Sequence, residues 1–134
     1  YRDEDIATRV REITDGEGAA VAYDSIGQAT FESSLNSLRP FGVLATYGNA
    51  SGKVEPFSPH ILAAKGSLYV TRPTLATHIS TPALLQEGAE RLFSAVSSGQ
   101  VKINVNQTFP LSDCAEAHRQ LEARETTGST ILKI

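Results

Sequence analysis

The side chains able to do chemistry in this sequence are few and scattered. Its three histidines, His60, His78 and His118, include no H-x-x-x-H pair, so none is marked as a metal ligand, and each reads as a surface or helix-face residue. Cys114 stands at a helix start, where a thiol's pKa can fall; a small hydrophobe in that position is the simpler reading. Serines are plentiful, yet no G-x-S-x-G elbow is present and "DSIG" and "NASG" do not replace it, which argues against a Ser–His–Asp hydrolase. The acidic pair Glu4-Asp5 is accounted for by the favourable field at a helix start. Asp24 ends an apolar run as the ribose-binding acid of a dinucleotide fold does, but that acid follows a G-x-G-x-x-G by about 20 residues, and none precedes it here. Asp24 is therefore expected to cap the next helix or to stabilise the turn.

What remains are small-residue loops after apolar runs: Ser25-Ile26-Gly27, Gly48-Asn49-Ala50-Ser51 and Arg72-Pro73-Thr74. At the carboxyl edge of a parallel sheet such loops let backbone groups approach a flat ligand, and Asn49 and Ser51 have hydrogen-bonding groups to offer it. Plain turns would look the same. The single cation at a strand end, Arg72, tilts the balance toward an anionic ligand.

The elements that must position these loops can be traced along the chain. Ile6, Val10 and Ile13 recur at helical spacing, with Asp3 expected as N-cap and Gly16 as stop. "AAVAYD" reads as a buried strand. "ATFESSLNSLRP" reads as a helix presenting Phe31, Leu35 and Leu38 and ending at Pro40, followed by the strand "GVLATYG". A short helix around "PHILAAKG" leads to the strand Ser67–Thr71. This alternation builds a parallel sheet, and continuously apolar strands fit one covered on both faces. Beyond Pro73 comes a long amphipathic helix with Thr81 as N-cap, Pro82 in its first turn and Leu84, Leu85, Leu92, Phe93 and Val96 on its apolar face. An extended segment "VKINVNQTFPL", a helix capped by Ser112 and a closing strand "STILKI" complete the chain.

The expected fold class is α/β: a partial Rossmann-type parallel sheet with helices on both faces over residues 1–73, then a helix-strand-helix-strand tail over 74–134. Three parallel strands make a thin sheet, which points to missing strands. With 134 residues there is room for one good core. A net charge of −3 and scattered Lys and Arg speak against nucleic acid, and no apolar run approaches the length of a membrane span. One cysteine rules out an internal disulfide and fits a reducing cytoplasm.

The segments "VAYDSIG", "YGNASG", "KGSLYVTRP", "LFSAVSSGQVKI" and "FPLSDCAEAHRQLEAR…TGSTILKI" resemble, in order and spacing, the C-terminal part of the NADPH:quinone oxidoreductases. These form the zeta-crystallin-like branch of the medium-chain dehydrogenase/reductase superfamily. The resemblance implies a zinc-independent hydride transfer from NADPH to a quinone or related electrophilic carbonyl, with no catalytic residue assignable in this chain. It implies that the chain starts after the second strand of the cofactor domain and lacks the glycine fingerprint and a barrel-like catalytic domain, on which 74–134 would pack. By position, Tyr1 would lie beside the adenosine 2′-phosphate, and Arg124 would also reach the bound NADPH. Ser25, Ile26 and Gly27 would underlie adenine and ribose, Gly48, Asn49, Ala50 and Ser51 would flank the nicotinamide, and Arg72, Pro73 and Thr74 would complete that pocket. A homodimer through Ser67–Thr71 and an inactive isolated chain are further expectations. The competing reading is a non-catalytic dimerising, structural or ligand-binding α/β module.

Overall fold

The computed structural model describes residues 4–134. The chain divides into two compact units, Tyr1–His78 and Ile79–Ile134. The first is a three-stranded parallel sheet in the order β1-β2-β3, flanked by helices. Its elements are α1 (Ile6–Ile13), β1 (Ala19–Asp24), α2 (Phe31–Asn36), β2 (Leu38–Thr46), α3 (His60–Ala64), β3 (Tyr69–Thr71) and the single turn α4 (Leu75–His78).

Helix α1 is capped by Asp5, whose carboxylate accepts from Thr8 N at 2.7 Å, and not by Asp3, which lies outside the described residues. Ile13, read as part of the apolar stripe, is 69% exposed. Near its end, Arg11 Nη2 donates to Leu38 O at 3.0 Å and ties the helix to the start of β2.

The second helix is shorter than its pattern suggests. Leu38 shares the helical spacing of Phe31 and Leu35, yet it opens β2 and Pro40 lies inside that strand. Pairing jumps from Ala19↔Leu38 to Val21↔Val43, so residues 39–42 bulge out of the ladder, with Phe41 at φ +61°. In a strand paired on both sides, a bulge is a place where proline's missing N–H costs no ladder bond.

The core of this unit is Phe31, Leu35, Leu38, Leu44 and Leu68, with Ala22, Val54, Ile61 and Val70 packed around it. Phe57, from the loop after β2, lays its ring 4.9 Å from that of Phe31. Strand β1 is not buried on both sides as its apolar run suggested. Successive side chains point to opposite faces; Asp24 is buried while Val21 and Tyr23 are exposed, Tyr23 by 77%.

The second unit holds α5 (Pro82–Ser97), β4 (Val105–Pro110), α6 (Cys114–Ala123) and β5 (Ser129–Lys133), with β4 and β5 paired in parallel. Thr81 caps α5 as its sequence indicates, accepting from Leu84 N at 3.2 Å. Ser112 is not the cap of α6: it lies in a 3-10 turn over Leu111–Asp113 that runs directly into the helix.

Candidate functional site

The carboxyl ends of β1 and β2 lie side by side in register, Asp24 opposite Thr46, so the loops that leave them start as neighbours. Asp24 is only 4% exposed. Its Oδ1 accepts from Ile26 N (2.8 Å), Gly27 N (3.0 Å) and Thr30 Oγ1 (3.0 Å); its Oδ2 accepts from Thr30 Oγ1 (2.9 Å) and Ser34 Oγ (2.9 Å). Burial pushes this carboxyl group up, but the hydrogen bonds from Gly27 N, Thr30, Ile26 N and Ser34 outweigh it and hold the group below the usual carboxylate range. The carbonyl of the same residue accepts from Tyr47 N (2.8 Å) and Gly48 N (3.3 Å), at the start of the second loop.

The two loops are also fastened to each other. Ser51 N donates to Ile26 O (2.8 Å), Ala50 N to Ser25 O (3.4 Å) and Gln28 N to Gly52 O (3.2 Å). Ser51 Oγ donates to Ile26 O (2.8 Å) and accepts from Ala29 N (2.9 Å), while Gln28 Oε1 accepts from Glu55 N (2.8 Å). The approach is close enough to require glycine twice. A Cβ on Gly48 would run into Ser25 O, and one on Gly27, itself at φ +94°, would lie 2.5 Å from Gly52 O.

Arg72, one residue past β3, closes the group. Its Nη1 donates to Thr46 O (2.9 Å) and Gly48 O (3.1 Å). With the Asn49 amide turned so that its nitrogen donates to Gly48 O (2.8 Å), the amide oxygen accepts from Arg72 Nη2 at 3.1 Å. These partners are neutral oxygens, and none of them offsets the guanidinium's charge at the strand ends. Beside it lies an open cavity of about 360 Å³ lined by Thr46, Asn49, Lys53, Val54 and Arg72. Thr46 is 7% exposed, and its Oγ1 has no hydrogen-bond partner among the described residues. A buried hydroxyl is rarely left in that state.

The structure thus brings Ser25, Ile26, Gly27, Gly48, Asn49, Ala50, Ser51 and Arg72 together. The polar side chains expected to meet a ligand, Asn49 and Ser51, spend their bonds inside the protein. Thr74 Oγ1 pairs with Thr77 Oγ1 at 2.9 Å on the turn of α4, and Pro73 is half-buried. Arg124 belongs to the second unit, where it ends α6 in the left-handed conformation at φ +61° and donates its backbone N–H to Leu121 O. Tyr1 lies outside the described residues. Sequence reasoning left out Thr46, Lys53 and Val54 from the cavity wall, and Thr30 and Ser34 from the Asp24 network. Only the network left a signal, in a run of hydroxyl residues along α2 after an acidic strand end. Among the described residues no group of three or more His, Cys, Asp or Glu is placed to hold a metal ion.

This arrangement, a parallel sheet whose carboxyl-edge loops are locked around a strand-end cation, can be set beside known proteins. The chain belongs to the zinc-binding dehydrogenase family, whose model matches residues 1–132. It is 49% identical over 132 residues to a quinone oxidoreductase of Pseudomonas aeruginosa, covering 98% of this chain and 41% of that protein. It is 44% identical to a 2-haloacrylate reductase of a Burkholderia species, over 98% of this chain and 40% of that one. The crystal structure of Escherichia coli quinone oxidoreductase complexed with NADPH superposes with a TM-score of 0.89 at 45% identity, over 100% of this chain and 42% of that one. The chain therefore spans about two fifths of the length of these relatives, and it aligns with their C-terminal part. Among the described residues no group of three or more His, Cys, Asp or Glu matches the zinc that the family's name implies.

Proposed function

We propose that the chain forms one wall of an NADPH site in an oxidoreductase that reduces a quinone or a related electrophilic carbonyl or alkene. The observation that carries this reading is the loop platform itself: two glycine-dependent loops in contact at the carboxyl edge of a parallel sheet, with Arg72 at the third strand end. In open parallel sheets that edge is where nucleotides lie. The donor set fits such a group: a cation with no carboxylate partner among the described residues, small residues that admit a flat ring, and Thr46 Oγ1, also without a partner among them, behind the cavity. Likeness to a quinone oxidoreductase, a haloacrylate reductase and an NADPH-complexed structure supports both cofactor and acceptor class.

Bound NADPH supplies the hydride. The protein's share in this segment is to bind, orient and exclude water. Ser25, Ile26 and Gly27 floor the adenosine half, Gly48, Asn49, Ala50 and Ser51 flank the nicotinamide, and Arg72, Pro73 and Thr74 complete that side. Tyr1 serves the 2′-phosphate end, and Arg124 also reaches the bound NADPH. No described residue is assigned the proton transfer.

Residues 1–73 act as the partial cofactor domain, and 74–134 pack on a catalytic domain outside this chain. The working protein is a cytoplasmic homodimer joined through Ser67–Thr71. Tyr69 in that segment is exposed and β3 pairs on one side only, with β2, among the described residues, and no helix there is long and apolar enough to cross a membrane.

The test is a chimera in which this chain replaces the aligned segment of the P. aeruginosa quinone oxidoreductase. A folded chimera that oxidises NADPH with a simple benzoquinone is the expected result; a folded chimera that binds NADPH no better than background overturns the reading.

A further inference from the structure

We infer that Asp24 is the positioning residue of this site: through one buried carboxylate it sets the conformation of both strand-end loops as a single unit. An acid that only caps a helix serves the first turn of that helix. Asp24 does more. Its Oδ1 holds the N–H groups of Ile26 and Gly27, and the carbonyl of Ile26 is in turn the acceptor for both Ser51 N and Ser51 Oγ. Ile26 is therefore clamped from one side by Asp24 and from the other by the second loop. On its far side the carboxylate receives Thr30 Oγ1 and Ser34 Oγ, which anchor it to α2 and so to the core around Phe31 and Leu35. The order of dependence runs from the core, through Asp24, to Ile26 and Gly27, and then to Ser51 and Gln28.

Geometry rather than charge is what this arrangement demands. The five hydrogen bonds to the carboxylate come from two backbone N–H groups on Oδ1 and from two hydroxyls, Thr30 Oγ1 being shared by both oxygens. Hydroxyls accept as well as donate. An asparagine here can keep its carbonyl oxygen on the two amides and give its NH2 to the oxygens of Thr30 and Ser34. The Asp24→Asn variant is thus the conservative replacement that preserves the loops, and Asp24→Ala is the one that releases them.

The measurement is residue-resolved amide hydrogen exchange on the 134-residue chain without cofactor. In Asp24→Ala, the amides of Ser51 and Gln28, which the carboxylate does not touch, are expected to exchange roughly tenfold faster through local openings that low urea does not accelerate, while Leu44 and Ala45 in the middle of β2 report only the overall loss of stability and rise steeply with urea. Asp24→Asn is expected to restore protection at Ser51 and Gln28. Ser51→Ala, which leaves the buried acid intact, is expected to raise exchange at Gln28 and Ala29 without affecting Gly27. If Asp24→Ala does not fold, the contrast between Asp24→Asn and Ser51→Ala decides the matter. A rise confined to Ile26 and Gly27, a rise at Ser51 and Gln28 that follows urea as steeply as the rise at Leu44, or an asparagine variant as loose as the Asp24→Ala protein would each overturn the inference. The inference rests on the cofactor reading only for what the platform carries; because exchange is read without NADPH, a failure of NADPH binding in the chimera counts against that reading alone.

Discussion

The two units of this chain bury their apolar residues very differently. In Tyr1–His78, five large side chains, Phe31, Leu35, Leu38, Leu44 and Leu68, close into a core that the sheet and helices complete for themselves. In Ile79–Ile134, Ala117 is the one buried hydrophobic residue, while Leu84, Leu85, Leu92, Leu121 and Phe93, the last at 65%, stay exposed among the described residues. The amphipathic stripe of α5 is real, with a proper N-cap, but nothing within its own unit covers it. A helix can be fully specified by capping and periodicity and still depend on another surface for most of its tertiary stability. The first unit is built to hold a shape, and its loops inherit that rigidity; the second leaves its apolar stripe exposed.

The sharpest way to break this contrast is to remove a core side chain. Leu44→Ala should cost about 3 kcal/mol in the first unit, seen as a lower urea midpoint at unchanged slope. The matching change Phe93→Ala should cost no more than about 0.5 kcal/mol, since an exposed side chain leaves no cavity. Equal losses would mean that the second unit has a core of its own.

Next in size is Asp24→Ala, expected to cost on the order of 2 kcal/mol because buried donors lose their acceptor. Its pH dependence has a definite sign. The carboxyl group of Asp24 is held below its ordinary value when folded, so the unfolded chain takes up a proton more readily. The stabilisation is complete above the ordinary carboxylate pKa and is lost as pH falls through the folded value. Acid titration followed by circular dichroism should show this limb in the native chain and a flatter one in Asp24→Asn.

Thr81→Ala removes the bond to Leu84 N and should cost α5 about 1 kcal/mol, read as lost helicity with the first unit untouched. The smallest expected effect is Thr46→Val. The buried Oγ1 has no partner among the described residues, so replacing it with a methyl group should leave stability unchanged or raise it by up to about 1 kcal/mol. A clear loss would show that the hydroxyl does have a partner, such as a bound water.

Much of this fold can be read in the sequence, because the signals are local. Thr81-Pro82 announces α5, and the order of helices and apolar runs announces a parallel sheet. Leu38 misleads because its spacing from Phe31 and Leu35 serves a helix face and a core strand equally well; only the pairing with Ala19 decides. The single turn α4 is too short for a periodicity to register. At the site, the glycines, Asn49, Ser51 and Arg72 stand out by type and position, and the family resemblance adds where a cofactor would lie. What they do in the structure cannot be read locally. Ser51 meets Ile26 across 25 residues and Arg72 meets Thr46 across 26, so groups that look free in sequence are already paired in space.

We propose that these paired loops are one wall of a cofactor site, rigid but insufficient alone. Fluorescence titration of NADPH into the 134-residue chain tests it directly. No saturable binding at micromolar cofactor and no quinone reduction by the chain are expected, because the pyrophosphate-binding glycine turn of dinucleotide folds is absent from its sequence. Saturable binding with micromolar affinity would contradict it, showing that the platform around Asp24 holds the dinucleotide by itself.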